Sequence, residues 1–228
     1  MSYKLIPAIE QRISSLIEVN RRVQSEMASI KAKPKPTITI SREFGCEAYP
    51  VAEKLKKLFE DQTGETWALM DKALLEEVAK NHNLSESILH RLGEKGFLDD
   101  MIATLTPRWK SERDHYRLLC RHIVSLAAGG NVIIVGRGGA IITQPMENCF
   151  HFRIVAPMEY KVRSIAKRLS IPANEAREMV EKRQQQRDRF IRDFLNCDAS
   201  EPTHYHIVFN NEKCNSDKIA ETMHRFVS

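Results

Sequence analysis

The sequence has no apolar run close to the roughly 20 residues that a membrane-spanning helix needs. Its N-terminus also lacks the charged-then-apolar pattern of a secretory signal peptide. The five cysteines are scattered and form no Cys-x-x-Cys pair, which argues against a zinc ribbon and against thioredoxin chemistry. These absences predict a cytoplasmic protein with reduced thiols and no membrane partner.

Metal-binding spacings are missing as well. None of the eight histidines belongs to a His-Glu-x-x-His motif. His204 and His206 would share one face of a strand, but a metal site would need a third ligand. We interpret the histidines as structural or surface residues, and the sequence assigns no metal ligand.

What the chain does contain is an alternation of strand and helix patterns. The run from Val132 to Val135 is entirely apolar, which is typical of a strand buried on both faces. We predict strands at 37–40, 66–70, 132–135, 150–155 and 206–209, and helices at 51–59, 72–80, 114–128, 158–170, 173–196 and 216–227. Residues 81–112 are less regular and mostly helical in pattern. The alternation predicts an α/β fold in which a parallel sheet is covered by helices on both faces.

The N-terminal segment stands outside this alternation. Apolar residues recur at helical spacing over residues 4–30, and a basic, proline-containing linker follows at 31–36. We therefore divide the chain into a helix with its linker, 1–35, and a domain, 36–228. The apolar face of the helix either packs on its own domain or pairs with a second copy of the chain as a homodimer.

Two strand ends carry the residues with the most chemistry. In a parallel sheet, ligands bind where strands end and helices begin. The segment from Ser41 to Pro50 has the strand-turn-helix layout of a phosphate-binding P-loop. The turn Gly136-Arg137-Gly138-Gly139 follows the apolar strand, and its glycines let the backbone approach a ligand while Arg137 offers a planar fork for phosphate. A tight turn without a ligand is the alternative for this second segment.

Five segments in order resemble the cytidylate kinase-like family of P-loop kinases: Ile38–Gly45, Met70–Leu75, Val132–Gly139, Arg153–Pro157 and Arg187–Phe194. The resemblance spans roughly residues 36–228. It implies a three-layer P-loop kinase fold with a central parallel sheet and a helical lid, here with an N-terminal helical extension. It also implies transfer of a phosphoryl group from ATP to a nucleoside monophosphate such as CMP, with Mg²⁺.

The resemblance implies roles for individual residues too. Arg183 and Arg187 would lie in the lid and stabilise charge on the transferring phosphoryl group as catalytic residues. The residues of the phosphate loop would be Ser41, Arg42, Gly45, Cys46, Glu47, Ala48 and Tyr49. Those that bind the acceptor nucleotide would be Asp71, Arg137, Arg163 and Arg168.

The loop departs from a working phosphate loop, which reads Gly-x-x-x-x-Gly-Lys-[Ser/Thr]. It keeps one glycine and no lysine, and Cys46-Glu47-Ala48 replaces the Ser-Gly-Gly run of the family. Glu47 would put a negative charge where phosphate should lie, and two like charges 4 Å apart repel by about 1 kcal/mol in water. Cys46, close to a helix N-terminus, would be reactive if its pKa were lowered there, although Glu47 opposes that.

Ligands for Mg²⁺ are also scarce. Pro50-Val51 follows the loop where a hydroxyl would hold the metal, Val135 stands where many kinases have an aspartate, and Gln184 replaces the aspartate of the lid. Two functions therefore remain open. One is a nucleotide kinase weakened by its loop, and the other is a catalytically inactive nucleotide sensor or protein-interaction module.

A third function is nucleic-acid binding. Residues 161–192 hold ten Lys or Arg and four Asp or Glu, a local excess of six positive charges against five for the whole chain. These charges fall where the lid is expected, so we predict that the protein binds nucleotides and not nucleic acid. Trp109 either stacks on a base or is a partly buried loop aromatic.

Overall fold

The structure is a computed structural model that describes residues 12–19, 22, 35–80 and 112–228. One sheet of five strands forms its centre: β1 Thr37–Arg42, β2 Ala68–Met70, β3 Val132–Val135, β4 Cys149–Val155 and β5 Ile207–Asn210. The strand order is β2-β3-β1-β4-β5, and every pair of neighbours is parallel. The predicted α/β fold with a central parallel sheet is confirmed.

Helices flank the sheet. After a helix α1 at residues 12–19 come α2 Ala48–Thr63, α3 Lys72–Lys80, α4 Glu112–Gly129, α5 Gly139–Ile142, α6 Met158–Leu169, α7 Ala173–Leu195 and α8 Ser216–Val227. None of the helices in these described ranges is both long and apolar enough to cross a membrane. The predicted helical segment between α3 and α4, with Trp109, lies outside the described residues, as does most of the predicted helix at 4–30.

The alternation of threonine and isoleucine in β1 shows how the three layers arise. Ile38 and Ile40 are fully buried in the core that α2 and α8 form with the sheet. Thr37 points to the opposite layer, where its hydroxyl donates to the carbonyl of Ala127 in α4 at 2.9 Å. Because successive side chains of a strand point to opposite faces, β1 contacts the helical layers on both sides of the sheet.

The N-terminal helix packs against this second layer. Leu16 and Val19 are buried in the same core as residues of α3 and α4. Arg12 forms an ion pair with Asp71 at 2.7 Å, directly after β2. The apolar face of α1 therefore contacts its own domain, while the boundary at residue 35 and a homodimer stay predictions.

The connection between β1 and α2 is shorter than the sequence suggested. Ser41 and Arg42 continue β1 because they pair with β4 in parallel register, and α2 begins at Ala48. The predicted loop from Ser41 to Tyr49 is therefore reduced to residues 43–47. Helix α5 was not predicted; it begins after Gly138, which has the left-handed conformation with φ of 74°.

Strand order also fixes where a ligand can bind. From β1 the chain crosses over β3 to reach β2, whereas from β3 it crosses β1 to reach β4. The connections thus leave the centre of the sheet toward opposite edges, and a crevice opens at the carboxyl ends of the central strands.

Candidate functional site

A cavity of about 560 Å³ lies in this crevice, at the carboxyl ends of β1, β3 and β4. Its floor comes from Ser41 and Arg42 of β1 and from the turn 136–139 after β3. Residues of the long helix α7, from Met179 to Ile191, form the facing wall. The volume is within the range of sites that hold small molecules.

The walls are strongly basic. Within the described part of the chain, six cationic side chains line the cavity: Arg42, Lys72, Arg137, Arg153, Arg183 and Arg187. Among the described lining residues Asp188 is the one acid, and its Oδ1 accepts from Gln184 Nε2 at 2.7 Å. An excess of positive charge in a concave, partly enclosed site favours an anionic ligand.

Arg153 reaches the cavity from the middle of the sheet. It is 5 % exposed, its Nη1 donates to Ser41 Oγ at 3.2 Å, and its guanidinium lies 5.6 Å from the ring centre of Tyr205. Arg153 was not among the predicted site residues. The available signal was an arginine within the apolar and aromatic strand β4, where a buried charge needs a reason.

Arg42 depends on a glycine for its position. A Cβ on Gly136 would lie 2.0 Å from Arg42 Nη1, and Gly136 has φ of +82°. Burial lowers the pKa of Arg42, and the nearby carboxylate of Asp71 opposes that shift. Gly136 therefore makes room for a guanidinium at the end of β1.

Arg137 follows in the same turn, with φ of 56°. Its guanidinium pairs with Glu76 of α3 and lies 4.9 Å from the ring centre of Phe190. These contacts fix the side chain between α3 and α7.

Helix α7 contacts the loop 43–47 directly. Arg187 Nη1 donates to the carbonyl of Arg42 at 3.3 Å, and its guanidinium lies 5.1 Å from the ring centre of Phe44. Gln184 Oε1 accepts from the backbone N–H of Phe44 at 2.8 Å. Burial, followed by the neighbouring charge of Arg42, lowers the pKa of Arg187 to about 9.

The backbone amides of the loop are largely used within the protein. Four of them donate to protein oxygens: Glu43 to Ile154, Phe44 to Gln184, Cys46 to Glu43 and Glu47 to Asn211. A phosphate loop grips its ligand through exposed amides. In this conformation the loop offers few of them to a phosphate.

The two carboxylates of the loop, Glu43 and Glu47, contact neighbouring helices and do not line the cavity. Glu43 accepts from Lys161 of α6 at 2.8 Å, and a Cβ on Gly45 would lie 2.7 Å from Lys161 Cβ. Glu47 Oε2 accepts from Ser216 Oγ of α8 at 3.4 Å. The expected repulsion between Glu47 and a bound phosphate is therefore not supported, because Glu47 faces α8.

Cys46 is not an activated thiol. It is 7 % exposed, and burial, followed by the charge of Glu43, raises its pKa to about 12. The helix N-terminus that could have lowered this pKa is outweighed by burial, and the opposing carboxylate is that of Glu43 and not of Glu47.

The predicted site residues divide into two groups. Those that line the cavity are Ser41, Arg42, Arg137, Arg183 and Arg187. Those placed elsewhere are Gly45, Cys46, Glu47, Ala48, Tyr49, Asp71, Arg163 and Arg168. Asp71 is held by Arg12, and Arg163 and Arg168 are exposed on α6, where Arg163 pairs with Glu212 at 3.1 Å.

The donor set does not fit a protein-bound Mg²⁺. Magnesium prefers carboxylate oxygens, but each carboxylate that the described residues place around the cavity already has a partner: Asp188 with Gln184, Glu76 with Arg137, Asp71 with Arg12 and Glu43 with Lys161. Within the described ranges, no group of three or more His, Cys, Asp or Glu side chains is arranged to hold a metal. The hydroxyl of Ser41 is likewise hydrogen-bonded to Arg153 and Tyr205.

Solved structures with a similar fold exist. An uncharacterised protein from Eubacterium ventriosum matches with a TM-score of 0.66 at 22% identity, over 85% of this chain and 98% of that one. At that identity the likeness shows the fold alone. TT1252 from Thermus thermophilus matches with a TM-score of 0.44 at 16% identity, over 86% of this chain and 97% of that one, and this supports no inference.

A search of curated proteins gave no match to this chain. The model of the cytidylate kinase-like family, by contrast, matches residues 37–213. That range runs from the first residue of β1 to just beyond β5, and so includes the whole sheet and every residue that lines the cavity. The chain belongs to the cytidylate kinase-like family.

Proposed function

We propose that this protein binds a nucleoside phosphate in the arginine-lined cavity of its kinase-like scaffold. The observation that carries the proposal is the concentration of cationic side chains, six among the described residues, around a cavity of about 560 Å³ at the carboxyl ends of the central strands. Charge of this kind suits phosphate, which arginine binds through paired N–H donors.

The same cavity also has an apolar part. Phe44, Leu169, Met179, Phe190 and Ile191 contribute to its lining. Apolar and aromatic surface next to a cluster of guanidiniums suits a ligand with a base at one end and phosphate at the other. A bare inorganic anion would leave that surface without a partner.

Phosphoryl transfer from ATP to a nucleoside monophosphate such as CMP is the second candidate. Family membership favours it, as does the position of Arg183 and Arg187 on α7, where they would stabilise charge on a transferring group. The internal use of the loop amides favours binding without turnover, in a sensor or interaction module. We therefore place nucleotide binding first.

A thermal-shift panel of nucleoside mono-, di- and triphosphates tests the proposal. We expect at least one nucleotide to raise the Tm of the wild type, since a ligand that binds only the folded state stabilises it. Arg183→Met should reduce the shift, because Arg183 lines the cavity and is exposed enough to change without loss of the fold. Arg189→Met, an exposed position on the same helix outside the lining, is the control. Equal shifts in the two variants, or none in the wild type, would contradict the proposal.

Turnover is measured with the same nucleotides. Transfer from ATP to CMP or a related acceptor would support the kinase function, and binding without transfer would support the sensor.

Replacing Cys46-Glu47-Ala48 by Ser-Gly-Gly tests whether the loop sequence itself limits binding or turnover. We expect no gain in binding or turnover, because the amides of Phe44 and Glu47 stay bonded to Gln184 and Asn211. A clear gain would show that the loop sequence itself limits the activity.

A further inference from the structure

We propose that the cavity binds its nucleotide as a metal-free anion, with guanidinium groups in the place that Mg²⁺ takes in other kinases. This inference rests on the proposed nucleotide binding. It follows from the charges that surround the cavity and from the partners that its carboxylates already have.

The first step concerns the charge that a polyphosphate needs. Mg²⁺ normally bridges and neutralises phosphate oxygens in kinase sites. Here Arg42, Arg153 and Arg187 approach from β1, β4 and α7, so positive charge surrounds the space from both floor and wall. A phosphate group within that space would be neutralised without a metal ion.

The second step concerns the metal itself. A Mg²⁺ carried in with ATP would enter a space lined by six cations, and no unpaired carboxylate is found among the described residues around it. Like charges in a partly enclosed site repel more strongly than in water. The metal complex of ATP also carries less negative charge for the arginines to attract. Both effects predict that Mg²⁺ weakens ATP binding.

Asp188, the one acid among the described lining residues, is tied to the loop through Gln184. Asp188 accepts from Gln184 Nε2 while Gln184 Oε1 accepts from the Phe44 amide, so a single side chain links the carboxylate to the loop. If Asp188 bound a metal, it would lose its hydrogen bond from Gln184, and Gln184 would no longer be held in place to accept from the Phe44 amide. The arrangement therefore holds Asp188 in a structural role.

Calorimetric titration of the full chain with ATP and with CMP, in EDTA and in MgCl₂ at equal ionic strength, tests this inference. We expect ATP to bind at least about tenfold more tightly in EDTA, the effect of losing roughly one charged contact. CMP is a poor Mg²⁺ ligand, and its affinity should be the same in both buffers. ATP affinity that is equal in the two buffers, or higher with Mg²⁺, overturns the inference and leaves nucleotide binding intact.

Absence of binding by any nucleotide in either buffer overturns the proposed function together with the inference. A variant adds a second readout. Arg187→Met should weaken ATP binding more in EDTA than in MgCl₂, because it removes one of the cations that act in place of the metal. Arg189→Met should leave both affinities unchanged. An equal loss for Arg187→Met in the two buffers would contradict the role given to the guanidiniums.

Discussion

Arg187→Met should stabilise the protein without ligand while it weakens nucleotide binding. The guanidinium of Arg187 is largely buried against the loop and next to Arg42, and these surroundings lower its pKa to about 9. Arginine remains charged at neutral pH in either case. The lowered pKa therefore expresses the cost of holding a charged group in a place that favours a neutral one.

The magnitude follows from that pKa. A fall from 12.5 to about 9 corresponds to a ceiling of about 5 kcal/mol, at about 1.36 kcal/mol for each pKa unit. The hydrogen bond to the Arg42 carbonyl and the contact with the Phe44 ring offset part of this cost, and both are lost in the variant. Methionine keeps apolar contact with the ring. We expect a net gain of about 1–3 kcal/mol in the free energy of unfolding.

Urea denaturation at pH 7.5 gives this free energy directly, and the Tm should rise by about 2–4 °C for each kcal/mol in a chain of this size. Arg189→Met is the matched control, since it removes an exposed arginine from the same helix. It should change stability by less than about 0.5 kcal/mol.

The nucleotide affinity of Arg187→Met should fall by about tenfold to a hundredfold, the range for losing a hydrogen bond to a charged group. The reasoning fails if Arg187→Met is less stable than the wild type. That result would mean that the contacts of Arg187 outweigh its desolvation. A variant that is more stable but binds nucleotide as tightly as the wild type would also contradict the prediction, since Arg187 would then not face the ligand.

Three further predictions concern single contacts. Gly136→Ala should cost about 1–2 kcal/mol in unfolding free energy for its positive φ and should reduce nucleotide-induced stabilisation, because its Cβ would displace the Arg42 guanidinium. Arg12→Met should cost about 1–3 kcal/mol by urea denaturation, since it removes the ion pair of Asp71 but leaves the carboxylate its hydrogen bond from the Leu74 amide and the nearby charge of Arg42, and Asp71→Asn in the same chain should recover part of the loss. Burial, then His206, lowers the pKa of His151 to about 4, so the unfolded chain binds more protons between about pH 4 and 6.5. Stability should therefore rise by up to about 3 kcal/mol across that window and stay level above it, and His151→Gln should remove the slope.

The sheet was readable from the sequence because its signals are local. Val132 to Val135 is a continuous apolar run, and the observed strand has the same bounds. The end of β1 was harder, because whether Ser41 and Arg42 extend the strand depends on a partner more than 100 residues away in β4. The local hydrophobic pattern does not reveal such long-range strand pairing, so the predicted loop was too long.

The cavity was readable only in part, for the same reason. Arg42 and Arg137 were found because they lie at strand ends, and Arg183 and Arg187 were found through the resemblance to the family. Arg153 was missed because it lies within β4 and joins Ser41 across 112 residues. Likewise, nothing in the sequence near Asp71 indicates that Arg12 holds it. Contacts between distant segments decide which charged residues are free to meet a ligand.

The position of Gln184 in the structure gives a physical reason why the loop lacks the glycines and the lysine of a phosphate loop. As a missing lid aspartate, Gln184 indicated only a weakened metal site. In the structure its amide accepts from the Phe44 N–H and donates to Asp188, so it satisfies the loop and the acid together. Because most of its amides are bonded within the protein, the loop needs no glycine for phosphate binding, and Gly45 serves the close approach to Lys161. If the cavity binds a nucleotide as we propose, the surrounding arginines, and not the loop amides, would hold its phosphate.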